Sequence, residues 1–272
     1  MNAAHFHAPH FQFPHPKQNQ LLAALPESEW ARWQLDLEPV ELLQGMVLCE
    51  SGKMPTHAYF PTTAVVSLLN MTEDGASSEI AVVGNDGVVG ISLFMGGNAM
   101  PSRAVVQSAG QGYRLRAQVV KNEVNRAGPA LLVLLRYTHA MLAQVAQTAA
   151  CNRYHSIDQQ LCRRLLLGID RLPSDELAMT QELLARLLGV RREGVTAAAL
   201  KLQHAGVIRY SRGHIAVLDR PQLEQRTCEC YAVAKKAYYR MVPVRRPVSM
   251  PMTMTMPMRL PLPVSNPLPL AA

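Results

Sequence analysis

The stretch 180–219 constrains this chain more than any other. Leu184 and Leu188 lie four apart and so share one face of a helix. Ala185 between them is small, as a close helix crossing requires. Gly189 follows where a tight turn needs a positive φ, which glycine adopts at little cost. Val190, Val195 and Ala198 supply the apolar face of a second helix. Ala185, Gly189 and Val195 at this spacing form the helix-turn-helix pattern, whose second helix enters a DNA major groove. His204-Ala205-Gly206 closes that helix with Gly near its C-terminal cap. Two alternating segments, 207–210 and 215–218, flank Ser211-Arg212-Gly213-His214 and predict a hairpin. The expectation is a winged helix-turn-helix.

The second helix opens with Arg191, Arg192 and Glu193. Arg pairs bidentately with G, and Glu accepts from the C amino group, so these residues and Thr196 are the expected base readers. Thr180, Lys201, Arg212 and His214 are expected at phosphates and on the wing. The charge distribution agrees. The net charge is +7, but residues 21–125 carry 6 Lys/Arg against 11 Asp/Glu, while residues 151–240 carry 15 against 9. The basic half is the half with the helix-turn-helix, as phosphate binding requires. No Gly-rich phosphate loop, nucleophile elbow or His-metal spacing appears, so an enzyme is not expected.

The five cysteines, Cys49, Cys151, Cys162, Cys228 and Cys230, match no zinc ribbon or finger. Cys228-Glu229-Cys230 is too little for a metal site alone. The thiols read as reduced residues of a cytoplasmic protein, with no metal and no cofactor. No run of about 18 apolar residues suggests a membrane span, and the N-terminus lacks the charged start and apolar core of a secretory signal.

In order along the chain, 272 residues suit about two domains. Residues 1–20, rich in His, Pro, Gln and Asn, read as a disordered lead; His5, His7, His10 and His15 there suggest at most adventitious metal binding. Residues 21–125 contain a short helical opening and then short strands punctuated by Thr72-Glu73-Asp74-Gly75 and Asn85-Asp86-Gly87, which predicts a β-barrel or β-roll. Residues 126–155 hold a long helix, on which Leu131, Leu135, Leu142, Val145 and Ala149 form an apolar stripe expected at a homodimer interface. The winged helix-turn-helix domain spans 156–226, a short helical extension 227–240, and a disordered Pro/Met-rich tail 241–272. The fold class is α+β.

A β-roll, a long helix and a winged helix-turn-helix in this order resemble the Crp/Fnr superfamily of bacterial transcription regulators over about residues 25–226. The most specific matches are Thr180-Gln181-Glu182 through Gly189, Arg192-Glu193 with Val195, and the run from Arg212 to Asp219. The resemblance implies a cyclic-nucleotide-binding-like sensor roll, dimerisation on the long helix, palindromic sites in double-stranded DNA, and contact with RNA polymerase. It departs in three places of the reading head: Ala197 stands where a second Arg is common, Gly194 replaces a better helix former, and Arg191 stands where a Ser cap is usual. The sensor departs further. Gly90, Ile91, Ser92, Ser102 and Arg103 occupy the effector-pocket positions, but Ile91 stands where relatives that bind cyclic nucleotides place a ribose-binding Glu, and Arg103 is one place out of register. Cyclic AMP is therefore not expected as the switch, and an effector is unidentified. The first 48 residues hold no Cys, which excludes the family's N-terminal iron–sulfur cluster. His57 and His139 are the residues a haem would have to use, but a lone His is usually structural or exposed, and no haem is expected. The competing reading is a nucleotide- or ligand-binding module acting on a protein partner, which would not need a basic helix-turn-helix.

Overall fold

The computed structural model describes residues 13–97 and 99–241. Two short helices, α1 (Gln20–Ala23) and α2 (Glu27–Trp33), precede seven strands: β1 (Glu38–Leu42), β2 (Val47–Cys49), β3 (His57–Pro61), β4 (Val65–Met71), β5 (Ser77–Val83), β6 (Arg103–Ser108) and β7 (Gly110–Arg116). They form two antiparallel sheets, β1-β7-β3 and β2-β6-β4-β5. Inward residues of both, among them Leu42, Phe60, Leu115, Val66, Val83 and Val106, share one core. β1 alternates in burial; β3 and β4 bury four residues in a row, so both faces of these strands are covered as the two sheets close into the roll. The expected turn at residues 72–75 joins β4 to β5: the Thr72 N–H donates to the Ala76 carbonyl at 2.9 Å.

The roll is anchored from its N-terminal side. The lead was expected to be disordered through residue 20, yet residues 13–20 lie against the roll. Asn19 is fully buried. Its Nδ2 donates to the carbonyls of Pro61 and Gly87 at 2.9 and 2.8 Å, and its Oδ1 caps α1 by accepting from Leu21 and Leu22. A buried amide with every hydrogen-bonding group used is a specific fastener. The Tyr113 hydroxyl adds a bond to the Pro14 carbonyl. His5, His7 and His10 lie outside the described residues, as does the tail beyond residue 241.

After α3 (Ala117–Asn125), the helix α4 (Pro129–Tyr154) runs 26 residues, about 39 Å at 1.5 Å per residue. Pro129 sits at its first position, where a missing N–H costs nothing. Val133, Leu134, Tyr137, Ala140 and Met141 are buried on the roll, and the Tyr137 hydroxyl donates to the Val88 carbonyl at 3.0 Å. By length and composition α4 also meets the criterion for a membrane span; its apolar content is accounted for by this packing and by a second face described below.

The C-terminal half contains α5 (Ile157–Ile169), β8 (Glu176–Ala178), α6 (Gln181–Leu188), α7 (Arg192–His204), β9 (Ile208–Ser211), β10 (His214–Val217), α8 (Arg220–Arg226) and α9 (Glu229–Met241). Ser156 and Gln159 form a reciprocal capping box at the start of α5. Leu161, Leu165, Leu184, Val195, Leu202, Ile208 and Ile215 share a second core. The wing gains a third strand, in the order β8-β10-β9. The three-residue β8 was not among the elements expected from the sequence. The extension α9 folds back along α4: Tyr238 Oη donates to Gln144 Oε1 at 2.8 Å, and Ala234 is fully buried.

Two buried ion pairs join the halves. Arg164 of α5 meets Glu79 of β5 at 2.6 Å, and Arg171, just past α5, meets Asp86 of the β5–β6 connection at 2.6 Å. Burial disfavours both guanidinium charges. At Arg171 burial is the largest single influence, but Asp86, Tyr238 and Asp170 together outweigh it and the pKa is raised; at Arg164 burial prevails and the pKa is lowered.

Candidate nucleic-acid interface

The reading head is built by local chemistry. Thr180 caps α6, its side chain accepting from the Leu183 N–H at 3.1 Å. The Gln181 N–H donates to Tyr210 Oη at 3.0 Å, so a wing residue satisfies another orphan donor of that helix. Gly189 ends α6 at φ 65°, the left-handed conformation the turn demanded. Leu184, Ala185, Val195 and Ala198 are buried where α6 and α7 cross.

Arg191, Arg192 and Glu193 are exposed at the N-terminal end of α7. Arg191 stands at the N-cap of α7 but its guanidinium, which only donates, makes no hydrogen bond to the helix end. Ala197, Leu200, Lys201 and His204 continue the exposed face. Thr196 has a different placement. It is half-buried, and its hydroxyl lies 2.7 Å from Gln181 Oε1 and 3.0 Å from the Arg192 carbonyl, which ties α7 to the start of α6. Lys201 is paired with Asp158 at 2.9 Å on the surface. Gly194, odd in a helix on propensity alone, has a packing reason: a Cβ there would stand 2.6 Å from Ile157 Cδ1 of α5.

The wing turn is two residues long, since Ser211 pairs with His214. Both turn residues have positive φ, 49° at Arg212 and 81° at Gly213, the pairing that matches the twist of a tight hairpin. Arg212 accepts a conformation better suited to Gly or Asn, which holds its exposed side chain at the tip. A Cβ on Gly213 would meet Thr180 Cγ2 at 3.4 Å, so the tip lies against the start of α6. Thr180, Arg212 and His214 are thus gathered at one edge, beside exposed Arg209.

The exposed seam of α4 differs in part from the stripe read in the sequence. Leu135, Leu142 and Ala149 are exposed, but Leu131 and Val145 are half-buried, and Val145 packs against the core of the roll. The exposed line is Leu132, Leu135, His139, Leu142, Ala146, Ala149 and Arg153, which alternates steps of three and four through the helix. Leu132 was missed.

In the roll, Gly90 has φ 109° and opens one turn of 3-10 helix at Ile91–Leu93. Ile91 packs against the core, Ser92 and Ser102 are buried, and Arg103 pairs with Glu50 at 3.0 Å. The Ser92 hydroxyl has no partner among the described residues. His57 is half-buried beside Thr56 Oγ1 at 3.0 Å, its pKa lowered by burial and by Arg114. His139 sits on the exposed α4 seam.

The cysteines depart most from expectation. All five are buried and unbonded. Cys151 on the last turn of α4 and His155 four residues on meet Cys228 and Cys230 of the α8–α9 junction, with all four ligating atoms within 4.8 Å of one another. The reading of no metal site considered Cys228 and Cys230 alone. The signal was present: Cys and His at i and i+4 on a helix, plus a Cys-x-Cys pair.

Residues 159–226 match the family of Crp-like helix-turn-helix domains. Among solved structures, the chain is similar to a protein of the crp/fnr family from Eubacterium rectale, with 17% identity and a TM-score of 0.61 over 77% of this chain and 98% of that one. It is similar to a CRP/FNR-family transcriptional regulator from Thermus thermophilus, with 23% identity and a TM-score of 0.56 over 69% and 97%. A third likeness is to the c-di-GMP-responsive global regulator CLP of Xanthomonas campestris, with 15% identity and a TM-score of 0.55 over 71% and 99%. At these identities the likeness establishes the fold. No curated protein matches the chain.

Proposed function

From a chain that carries a Crp-like helix-turn-helix domain within the fold of the Crp/Fnr regulators, we propose a dimeric, sequence-specific regulator of transcription. The observation that carries this reading is the exposed Arg191-Arg192-Glu193 cluster at the start of α7, flanked by the basic wing tip. Arg192 and Glu193 read base edges, Arg191 assists, and Thr180, Arg212 and His214 hold phosphates. Thr196 acts mainly by fixing α7 against α6, and Lys201 reaches phosphate only by leaving Asp158. Pairing through the exposed α4 seam presents two reading helices to half-sites about 34 Å apart, one turn of DNA, on a palindromic promoter site. The chain works in the cytoplasm and acts on RNA polymerase at initiation.

The roll serves a signal other than cyclic AMP. Ile91 faces the core and offers no acceptor for a ribose hydroxyl, and Arg103 is already paired. Genomic fragments captured by the purified protein supply the site for the test. Fluorescence anisotropy on the captured palindrome should give nanomolar binding that weakens steeply with salt. Equal affinity for scrambled duplexes would sink the reading. Calorimetry with cyclic AMP should show no heat.

A further inference from the structure

The four side chains at the base of α4 form a set that the DNA-reading function does not use. Cys151 Sγ and Cys228 Sγ are 3.6 Å apart, and Cys230 Sγ is 3.6 Å from His155 Nδ1. A tetrahedral ion with thiolates at about 2.3 Å spaces its sulfurs by roughly 3.8 Å along each edge. A disulfide would bring the sulfurs to about 2.05 Å instead. The remaining nitrogen of the ring is also placed: His155 Nε2 lies 3.2 Å from Glu229 Oε1. A carboxylate on the far nitrogen fixes the tautomer and turns Nδ1 toward an ion, which is the usual outer partner of a ligating histidine. The three cysteines are buried together in one small cluster.

We propose that Cys151, His155, Cys228 and Cys230 bind one Zn²⁺ in a closed tetrahedral S₃N site. Three sulfurs and one imidazole, with no carboxylate in the inner set, select zinc over magnesium, calcium or manganese. Four protein ligands leave no open position, so the ion acts as a clamp. Its place in the fold says what it clamps. Cys151 ends α4, His155 is the single residue before the Ser156 cap of α5, and Cys228 and Cys230 open α9. The ion therefore pins the C-terminal extension to the joint between the long helix and the DNA-binding domain. The four ligands come together in the protomer without any bound DNA.

The test uses the full chain, purified without a tag under reducing conditions. Metal analysis should find one equivalent of zinc. Cobalt substitution should give the intense visible bands of tetrahedral Co²⁺ with sulfur-to-metal charge transfer, which imidazoles of the N-terminal lead cannot supply. Cys228→Ser and Cys151→Ser should abolish those bands, while Cys49→Ala and Cys162→Ala keep them. Glu229→Gln should retain the spectrum but weaken metal affinity by about tenfold. Because a ligand variant can fail to fold, the wild-type cobalt spectrum decides by itself: its absence overturns the site. So does an unchanged spectrum in the Cys228 variant, or a Cys151–Cys228 disulfide in place of metal.

Discussion

Replacing Leu142 by Glu should split the dimer proposed above, and the size of the effect follows from the protomer. Leu132, Leu135 and Leu142 are 51%, 44% and 60% exposed on α4. Fully burying a Leu side chain stabilises by roughly 1.5–3 kcal/mol, so covering the half still open is worth about 1 kcal/mol each. Across a two-fold axis six such residues supply about 6 kcal/mol. Leu142→Glu removes about a third of that and brings two carboxylates into the seam, whose desolvation and repulsion add about 2 kcal/mol or more. A loss of about 4 kcal/mol raises the dimer dissociation constant close to a thousandfold. Sedimentation equilibrium over a wide concentration range measures it directly, with Leu35→Glu as the control at an 83% exposed site off α4. A Leu142→Glu protein that dimerises like the wild type would place the interface elsewhere. A monomeric variant with undiminished affinity for the palindrome would refute the link between pairing and reading.

Three other outcomes are expected. Arg192→Ala should cost about 1–3 kcal/mol on the cognate site and relax preference at one base pair, whereas Arg212→Ala should weaken cognate and random DNA alike and flatten the salt slope; titrations on both duplexes separate the two. Glu79→Ala leaves the Arg164 guanidinium buried without its partner, which should destabilise the chain by about 3–5 kcal/mol in chemical denaturation, while Glu79→Ala with Arg164→Met should recover most of the loss. Arg32 hydrogen-bonds Glu123 and holds its carboxyl below the usual range. A depressed carboxyl stabilises the fold fully above its unfolded value, and that contribution fades as pH falls through the folded value. Arg32→Ala should therefore lower stability at neutral pH, lose less of it on acidification and make the acid limb shallower.

What the sequence made legible was what neighbours in the chain decide. Ala185, Gly189 and Val195 lie within ten positions of one another, and the Arg212-Gly213 turn is written in two residues. The α4 seam was legible only in part because the helix is apolar on two faces. Leu131 and Val145 turn toward the protein and Leu132 away, and periodicity alone does not say which apolar face meets the roll. Which distant residues meet was not legible, even where each local half of a cluster was present in the sequence. Gly194 looked like a defect until Ile157 appeared against it. Cys151 lies 77 residues from Cys228, and no local spacing announces that they meet.

The two ion pairs between the halves bear on how portable these modules are. Each joins residues 85 positions apart, one on the roll and one in α5 or just past it, at the start of the winged helix-turn-helix half. A chimera that grafts another roll onto this reader inherits Arg164 and Arg171 in full. Unless the incoming roll offers carboxylates where Glu79 and Asp86 stand, two buried cations are stranded at the seam. Interchange of the halves is therefore restricted to donors that carry the matching acids, however similar their folds.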